Sequence, residues 1–266
     1  MNADMKPKTG HVQGRWWGAR ARDWAQLQEP QCRPVFERVL ERAGVGPATR
    51  YLDAGCGAGL AAQIAARRGA RVAGIDAAPN LLAVARERVA DGDFREGDIE
   101  ALPFDDDAFD VVTGFNAFQY AGNPDVALVE AQRVARPGGI VVVVTWGKPE
   151  GMPAASLVMA LRPLLPPPPP AAPGPFALSD EPTLRAFAAR AGLGALEMMD
   201  VDSPWHYPDL ATALRALGSS GVAARAIEHS GEAALDRAHR EALAPFRQPD
   251  GSYRVGSTFR CLFARA

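Results

Sequence analysis

Residues 50–60 read Arg-Tyr-Leu-Asp-Ala-Gly-Cys-Gly-Ala-Gly-Leu, an apolar segment followed by glycine at every second position. The apolar residues favour a β-strand that Asp53 closes. Residues 60–68 have strong helix propensity, and Gly69 ends that helix. A strand, a glycine turn and a helix N-terminus form the place where an α/β sheet lets a ligand reach bare backbone. The segment therefore predicts a parallel α/β sheet with a ligand at this turn.

The spacing of the glycines indicates the kind of ligand. A dinucleotide fingerprint has its third small residue one position later, where this chain has Leu60. Asp53 suits a ligand that carries an ammonium or sulfonium group, and it would repel a pyrophosphate. A nicotinamide dehydrogenase is therefore disfavoured, while a glycine turn that binds no ligand stays an alternative at this point.

Two further acids follow predicted strands. Residues 71–75 form a second strand that ends at Asp76, where a carboxylate can hold a pair of ribose hydroxyls. Residues 93–96 form a short third strand that leads to Asp98 and Ile99. Taken alone, Asp98 is only an acid in a turn.

Longer motifs point to one family. The glycine segment resembles motif I of the class I S-adenosylmethionine-dependent methyltransferases, acid-x-Gly-x-Gly-x-Gly. Residues 101–104, Ala-Leu-Pro-Phe, and 109–112, Phe-Asp-Val-Val, resemble the signature of the ubiquinone/menaquinone-type branch, methyltransferase type 11. Residues 133–139, Arg-Val-Ala-Arg-Pro-Gly-Gly, resemble that family's turn before the fifth strand, 140–144. The chain is identified as a member of this family because five motifs occur in its order.

The resemblance implies a fold and a cofactor. The fold is a Rossmann-like, doubly wound α/β sheet of seven strands in the order 3-2-1-4-5-7-6, whose last strand, residues 253–264, is antiparallel. The cofactor is S-adenosylmethionine: Asp76 holds the ribose, Asp98 reaches the adenine amino group, and the Ile99 backbone faces the adenine ring. The residues expected at the cofactor are Asp53, Gly55, Cys56, Gly57, Gly59, Asp76, Ala77, Asp98, Ile99 and Asn116.

Aromatic residues gather near the same edge of the predicted sheet. All five tryptophans lie in the N-terminal arm or just past strands five and six, and further rings follow strand four. Ligands of open parallel sheets bind at this carboxyl edge. Ordinary packing of the arm and a cap is the alternative. The residues expected to line an acceptor pocket are Trp17, Trp24, Phe115, Gln119, Tyr120, Trp146, Trp205 and Tyr207.

The chemistry implied by the cofactor is simple. A methyl group on a sulfonium is already activated, so methyl transfer is an in-line displacement that needs alignment and exclusion of water. A hydroxyl acceptor would also need a base, for which His206 is the candidate; a packed or exposed loop histidine is the alternative. His239 lies in a charged helix and is expected to face solvent. The aspartates at 105–107 lack the spacing of a calcium loop, so no metal site is expected.

The chain divides into an arm, residues 1–30, and a methyltransferase domain, residues 31–266, with helical cap insertions near 147–180 and 205–248. The five prolines at 166–170 predict an extended linker. The arm carries three tryptophans, too much apolar surface for a free tail. We expect Trp17 and Trp24 to form a lid over the methionine end of the cofactor, with Gly18 as a hinge. A static strap is the alternative.

Composition limits the remaining classes of function. The chain has 266 residues, a net charge of −2 and no basic stripe with interleaved aromatics, so a nucleic acid partner is not expected. It has no membrane-spanning apolar segment and begins with polar residues, so neither a membrane partner nor a signal peptide is expected. Cys32, Cys56 and Cys261 form no close pair, which is typical of the cytoplasm. The expected partner is a small-molecule acceptor. A protein that binds S-adenosylmethionine without methylating, a regulator or a cyclase, is the alternative.

Overall fold

The computed structural model of the chain describes residues 9–167 and 174–266, and its centre is a seven-stranded sheet. The strands in chain order are β1 (Arg50–Ala54), β2 (Arg71–Asp76), β3 (Asp93–Glu96), β4 (Phe109–Phe115), β5 (Ala135–Trp146), β6 (Gly194–Asp202), β7 (Trp205–Tyr207), β8 (Tyr253–Val255) and β9 (Thr258–Arg265). The order in the large sheet is β3-β2-β1-β4-β5-β9-β6. Strands β1 to β5 are parallel, and β9 is antiparallel to both β5 and β6. The predicted order and the antiparallel last strand are confirmed.

Helices cover both faces of the sheet and its carboxyl edge. They are α1 (Gly10–Gly18), α2 (Ala21–Asp23), α3 (Arg33–Arg42), α4 (Leu60–Arg67), α5 (Pro79–Arg88), α6 (Pro124–Val134), α7 (Ala154–Ala160), α8 (Glu181–Arg190), α9 (Leu210–Leu217), α10 (Gly221–Ser230) and α11 (Glu232–Leu243). Between α2 and α3 the chain forms a π-helical turn, Trp24–Gln28, and a 3-10 turn, Glu29–Cys32.

The central strands are buried on both faces, as their unbroken apolar runs predict. Side chains alternate between two core clusters: Leu52 and Val112 pack toward α6 and α8, while Tyr51 and Val111 pack toward α3 and α4. Each such side chain contributes about 1.5–3 kcal/mol when it is removed from water. This core fixes the carboxyl ends of β1, β2 and β4 relative to one another.

The predicted single strand 253–264 is wrong, because two different strands occupy this range. Strand β8 pairs with β7 in a separate two-stranded sheet, and β9 enters the large sheet. The chain changes sheets at Gly256 and Ser257. The Ser257 carbonyl accepts a hydrogen bond from the Ser203 backbone N–H at 2.8 Å, and a Cβ at Gly256 would lie 3.3 Å from Pro153. The junction at Gly256 and Ser257 therefore lies outside the strand pairing of both sheets.

Helices α7, α9, α10 and α11 pack with β7 and β8 over the carboxyl side of β5. They fall in the ranges where cap insertions are predicted, and the division of the chain into an arm, a domain and a cap stays a prediction. Residues 168–170 of the proline run lie outside the described residues, so the predicted linker also stays a prediction.

The expectation that His239 faces solvent is wrong. Its side chain is buried, because Leu235, His239 and Leu243 are four residues apart and share the inner face of α11. Burial lowers the pKa of His239 to about 4, so the ring is neutral near pH 7. The charged neighbours that suggested exposure lie on the other faces of the helix.

The described residues can be compared with the features of a membrane-spanning helix and of a metal site. None of the helices in residues 9–167 and 174–266 is both long and apolar enough to cross a membrane. Within the same two ranges, no three His, Cys, Asp or Glu side chains lie together as metal ligands would.

Candidate functional site: the glycine turn and the carboxyl edge of the sheet

The turn between β1 and α4 needs glycine at three positions for different reasons. Gly55, Gly57 and Gly59 have positive φ values of 76°, 54° and 79°. A Cβ at Gly55 would lie 2.5 Å from the Ala117 Cβ, and a Cβ at Gly59 would lie 2.7 Å from the Ala85 Cβ. A Cβ at Gly57 would lie 3.6 Å from the Glu29 Oε1 atom and 3.6 Å from the Trp24 Nε1 atom, which is an ordinary van der Waals distance. The outer two glycines permit close packing, while Gly57 lies half-buried beside Glu29 and Trp24 of the arm.

Asp53 ends β1 as a buried carboxyl group. Its side chain accepts a hydrogen bond of 3.1 Å from the Thr113 hydroxyl, which lies 2.6 Å from the Tyr51 hydroxyl. Burial, with a further contribution from the charges of Glu29 and Asp76, raises the pKa of Asp53 to about 7. A positively charged ligand beside this carboxyl group would favour its ionised form.

Asp76 ends β2 and supports the glycine turn. One carboxylate oxygen accepts a hydrogen bond from the Gly57 backbone N–H at 2.8 Å, and the other accepts one from the Ala78 N–H at 2.9 Å. Burial raises the pKa of Asp76, and these backbone donors oppose that rise. The side chain is therefore held next to the backbone of Gly57.

The residues predicted to contact adenine lie under α1. A Cβ at Gly10 would lie 2.8 Å from the Asp98 carboxylate, and a Cβ at Gly14 would lie 1.9 Å from the Ala77 carbonyl oxygen. Asp98 also accepts a hydrogen bond of 3.0 Å from the Glu100 N–H. Ile99 is half-buried against the core. The arm thus lies directly on the ends of β2 and β3.

Asn116 follows β4 in a left-handed backbone conformation, φ 51°. Its N–H donates to the Val144 carbonyl at 2.8 Å, and its side-chain oxygen accepts from the Gln119 amide at 2.8 Å. The Gln119 side-chain oxygen is buried and has no hydrogen-bond partner among the described residues. Asn116 and Gln119 therefore face the same edge as Asp53 and Asp76.

Comparison with known proteins agrees with this geometry. Residues 52–143 match the family described as "Methyltransferase domain". The chain carries a class I S-adenosylmethionine-dependent methyltransferase domain. S-adenosylmethionine is the cofactor of this domain, as the resemblance implies.

Named relatives align with part of the chain. It is 40% identical over 113 residues to malonyl-[acyl-carrier protein] O-methyltransferase of Serratia marcescens, covering 42% of the chain and 44% of the relative. It is 37% identical over 123 residues to demethylmenaquinone methyltransferase of Renibacterium salmoninarum, covering 46% and 52%. The chain spans about half the length of the curated relatives it matches.

A solved structure extends the likeness in fold. The [4+2]-cyclase SpnF covers 87% of this chain and 79% of its own, with a TM-score of 0.55 and 22% identity. At that identity the likeness concerns the fold alone.

The aromatic residues beside the methyltransferase domain form two groups. Trp17 meets Trp24 edge to face at 5.0 Å between ring centroids, and it meets Tyr120 at 5.5 Å. Burial raises the pKa of Tyr120 to about 12. The Trp24 Nε1 atom would lie 3.6 Å from a Cβ at Gly57, so this first group borders the glycine turn.

The second aromatic group lies between β5 and the small sheet. Trp146 stacks on Phe259 at 4.9 Å and meets Trp205 at 5.9 Å, and the Trp205 Nε1 is buried without a partner among the described residues. Phe115 instead meets Phe36 of α3 at 4.7 Å. A single pocket lined by all eight predicted residues stays a prediction.

His206 and Tyr207 point to opposite sides of β7. The Tyr207 side chain is buried and its hydroxyl donates to the Gln28 side chain at 2.8 Å. The His206 side chain is exposed, because successive residues of a strand alternate between faces. The structure therefore does not bring the His206 ring to the buried aromatic residues.

Sequence reasoning missed a buried ion pair at the glycine turn. Glu29 of the 3-10 turn is 4% exposed, pairs with Arg88 at the end of α5, and accepts a hydrogen bond of 3.4 Å from the Leu60 N–H. Arg88 also donates to the Ala58 carbonyl at 2.8 Å and to the Ala25 carbonyl at 2.7 Å. No local motif signals this pair, because its members are 59 residues apart.

Proposed function

We propose that the protein transfers a methyl group from S-adenosylmethionine to a small-molecule acceptor by in-line displacement, without a metal ion. The observation that carries the proposal is the glycine turn of the methyltransferase domain. It combines a half-buried glycine at Gly57, whose Cβ position has no neighbour closer than 3.6 Å, with two carboxyl groups, Asp53 and Asp76, at the ends of adjacent strands.

The residues at the turn fit the charges of this cofactor. S-adenosylmethionine has a sulfonium and an ammonium group, and a buried carboxyl group such as Asp53 favours a cation nearby. Asp76 lies where a carboxylate can accept hydrogen bonds from two ribose hydroxyls. When bound, the cofactor supplies a methyl group that its sulfonium has already activated.

The chain itself then has to align the acceptor and exclude water. Correct orientation of two reactants is worth up to roughly 7–11 kcal/mol of the barrier. Trp17, Trp24 and Tyr120 supply an apolar wall beside the turn, and Gln119 offers a buried oxygen without a described partner. We therefore propose that the acceptor lies between the turn and the first aromatic group.

The names of the relatives suggest two acceptor chemistries. One relative is named for a malonyl group on a carrier protein, in which a carboxylate oxygen is the nucleophile, and the other for demethylmenaquinone. The first panel of acceptors to be assayed should contain both kinds, together with small phenols and amines. The cytoplasmic location expected from the cysteines stays a prediction.

The test is turnover of S-adenosylmethionine with this panel, followed by mass spectrometry. We expect S-adenosylhomocysteine and an acceptor heavier by one CH₂ unit to form in equal amounts. A matched reaction with Gly57→Val should form neither.

A non-methylating protein on the same scaffold is the second candidate, since a cyclase shares the fold. It predicts a converted acceptor of unchanged mass while S-adenosylmethionine remains intact. That outcome would replace methyl transfer and leave the cofactor site as described.

A further inference from the structure

The first residue of α4 receives its capping group from a distant part of the chain. The residue before α4 is Gly59, which has no side chain to accept a hydrogen bond from the free N–H groups of the first turn. Glu29 accepts the hydrogen bond from the Leu60 N–H across 31 positions of sequence. A carboxylate is favoured there because the N-terminal end of a helix carries partial positive charge.

This is the place where related α/β folds bind an anion. A helix N-terminus after a glycine turn ordinarily takes a phosphate or pyrophosphate, through its backbone N–H groups and its dipole. In this chain Glu29 lies there instead, 4% exposed, with Arg88 as its counter-ion. The turn therefore contains its own anion.

Residues on both sides of Glu29, Gln28 and Gln31, are fixed to the small sheet. The Gln28 side chain accepts from the Tyr207 hydroxyl at 2.8 Å. The Gln31 side chain bonds the His206 backbone N–H at 2.9 Å and carbonyl at 3.1 Å. Because these contacts hold the segment at both ends, Glu29 is a built part of the turn and not a surface acid that happens to lie near it.

The carboxyl groups around the turn outnumber the cations that they contact. The charges of Glu29 and Asp76 both raise the pKa of Asp53, and Arg88 is the cation paired with Glu29. A ligand that brings positive charge relieves this imbalance, whereas a phosphate adds to it.

We propose that Glu29 is a specificity-determining residue, which fills the anion position at the N-terminus of α4 so that the turn accepts the cationic S-adenosyl cofactor and rejects phosphate-bearing adenine nucleotides. The inference rests on the proposed function for its cofactor. It adds a residue outside the matched domain that decides the charge of the ligand.

The experiment compares two ligands that share adenosine. ADP-ribose has a pyrophosphate where S-adenosylmethionine has its sulfonium and methionine. Calorimetry at pH 8.5, without acceptor, gives both dissociation constants for the wild type, Glu29→Gln and Arg88→Gln, and their ratio measures selectivity for S-adenosylmethionine. Glu29→Gln keeps a side-chain oxygen for the Leu60 N–H, removes the charge and replaces the oxygen that accepts from Arg88 with an amide NH2 group.

We expect Glu29→Gln to lower the selectivity ratio by roughly thirtyfold, because the turn loses a buried negative charge and Arg88 is left as an unneutralised cation beside the helix N-terminus. Arg88→Gln should raise the ratio by about threefold or more, since the carboxylate is then left without its counter-ion. A lower selectivity ratio in Glu29→Gln together with a higher ratio in Arg88→Gln would show that the charge at this position selects the ligand.

A purely structural ion pair predicts that both variants weaken both ligands together. The inference is overturned if the ratio in a cooperatively melting Glu29→Gln variant stays within about threefold of the wild type. If Glu29→Gln does not fold, Arg88→Gln decides, and an unchanged or lowered ratio overturns the inference. Failure of the proposed function is a separate result, because it would appear as absent turnover in a wild type whose binding ratio is measured without acceptor.

Discussion

The two sides of the carboxyl edge are built in different ways. The cofactor side consists of consecutive strand ends, β1 and β2, a glycine turn and acids whose partners are mostly backbone or short hydroxyl groups. The proposed acceptor side consists of aromatic rings from the arm and from the segment after β4. The family match covers residues 52–143, which include the first side and neither the arm nor the small sheet. Adenosine and sulfonium are constant, so a backbone-built site suits them, whereas an acceptor is recognised by side chains.

The two sides also differ in how firmly they are held. The glycine turn is fixed by backbone bonds from Gly55 and Cys56 to the Ile75 carbonyl, at 2.8 and 2.9 Å. The arm meets α10 and α11 through exposed ion pairs such as Arg15–Glu228 and Arg20–Glu232. Exposed ion pairs contribute little to stability and are screened by salt. The arm also has buried contacts, because Gly14 lies on the Ala77 carbonyl and both Ala21 and Ala25 belong to a core cluster, so the lid hypothesis stays a prediction.

The largest expected effect is at Gly57. Gly57→Val places a branched side chain between the turn and the Glu29 and Trp24 side chains, where we propose that the cofactor lies, and we expect cofactor affinity to fall by more than roughly a hundredfold in calorimetry. Gly192→Val is the control, because Gly192 has a similar φ of 78° with nothing within 4 Å of its Cβ position. Equal affinity in the two variants would remove Gly57 from the cofactor site.

The second effect concerns Asp76. Asp76→Ala removes a charge-assisted pair of hydrogen bonds to the ribose, and we expect cofactor binding to weaken by about 2–3 kcal/mol. Asp93→Ala, at the opposite end of the same sheet, changes the net charge equally and should leave binding unchanged. Unchanged affinity for Asp76→Ala would disprove the ribose assignment.

The arm supplies a third test, which separates a lid from a strap. Gly14→Val cannot keep its contact with the Ala77 carbonyl, so α1 has to lift from the ends of β2 and β3. A lid predicts a ligand-free melting temperature near that of the wild type and cofactor affinity lower by about tenfold. Arg22→Ala is the control, since it changes the arm but removes only an exposed ion pair with Glu87. A large loss of ligand-free stability in Gly14→Val would show a static strap.

Asp53 predicts a pH dependence of cofactor binding. Its pKa of about 7 means that the ionised fraction increases by about fourfold between pH 6.5 and 8, and cofactor affinity should increase with it. Because the folded-state pKa is raised above the unfolded value, the contribution of Asp53 to ligand-free stability is full at low pH and is lost as the pH rises through 7. Over the same interval, ligand-free melting should therefore fall while the thermal shift caused by the cofactor grows. Both trends should disappear in Asp53→Asn, and their persistence there would assign them to another group.

The smallest expected effect is that of a chelator. We expect turnover to be unchanged in EDTA, because alignment with the methyl–sulfur axis requires no Lewis acid. Loss of turnover that magnesium restores would contradict this and direct attention to the aspartates at 105–107. If Asp106→Asn then lost turnover to the same extent without a chelator, the ion would lie at Asp106.

The sequence by itself determined the cofactor side. Glycine at alternate positions after a strand permits only a few backbone geometries, and acids at the ends of successive parallel strands necessarily meet at one edge. The order of the strands and the cofactor followed from these local constraints and from the family resemblance, and both are confirmed.

Only the tertiary structure decided which distant segments pack around the carboxyl edge of the sheet. The pair of Glu29 with Arg88, the contact of α1 with Ala77 and the two aromatic groups all join segments far apart in the chain. The burial of His239 likewise depends on which face of α11 is covered, since charged neighbours in sequence do not lie on the same face. Local pattern specifies backbone conformation over a few residues, whereas the choice of partners across the site depends on how the arm and the helices pack, and that choice is made only when the whole core forms.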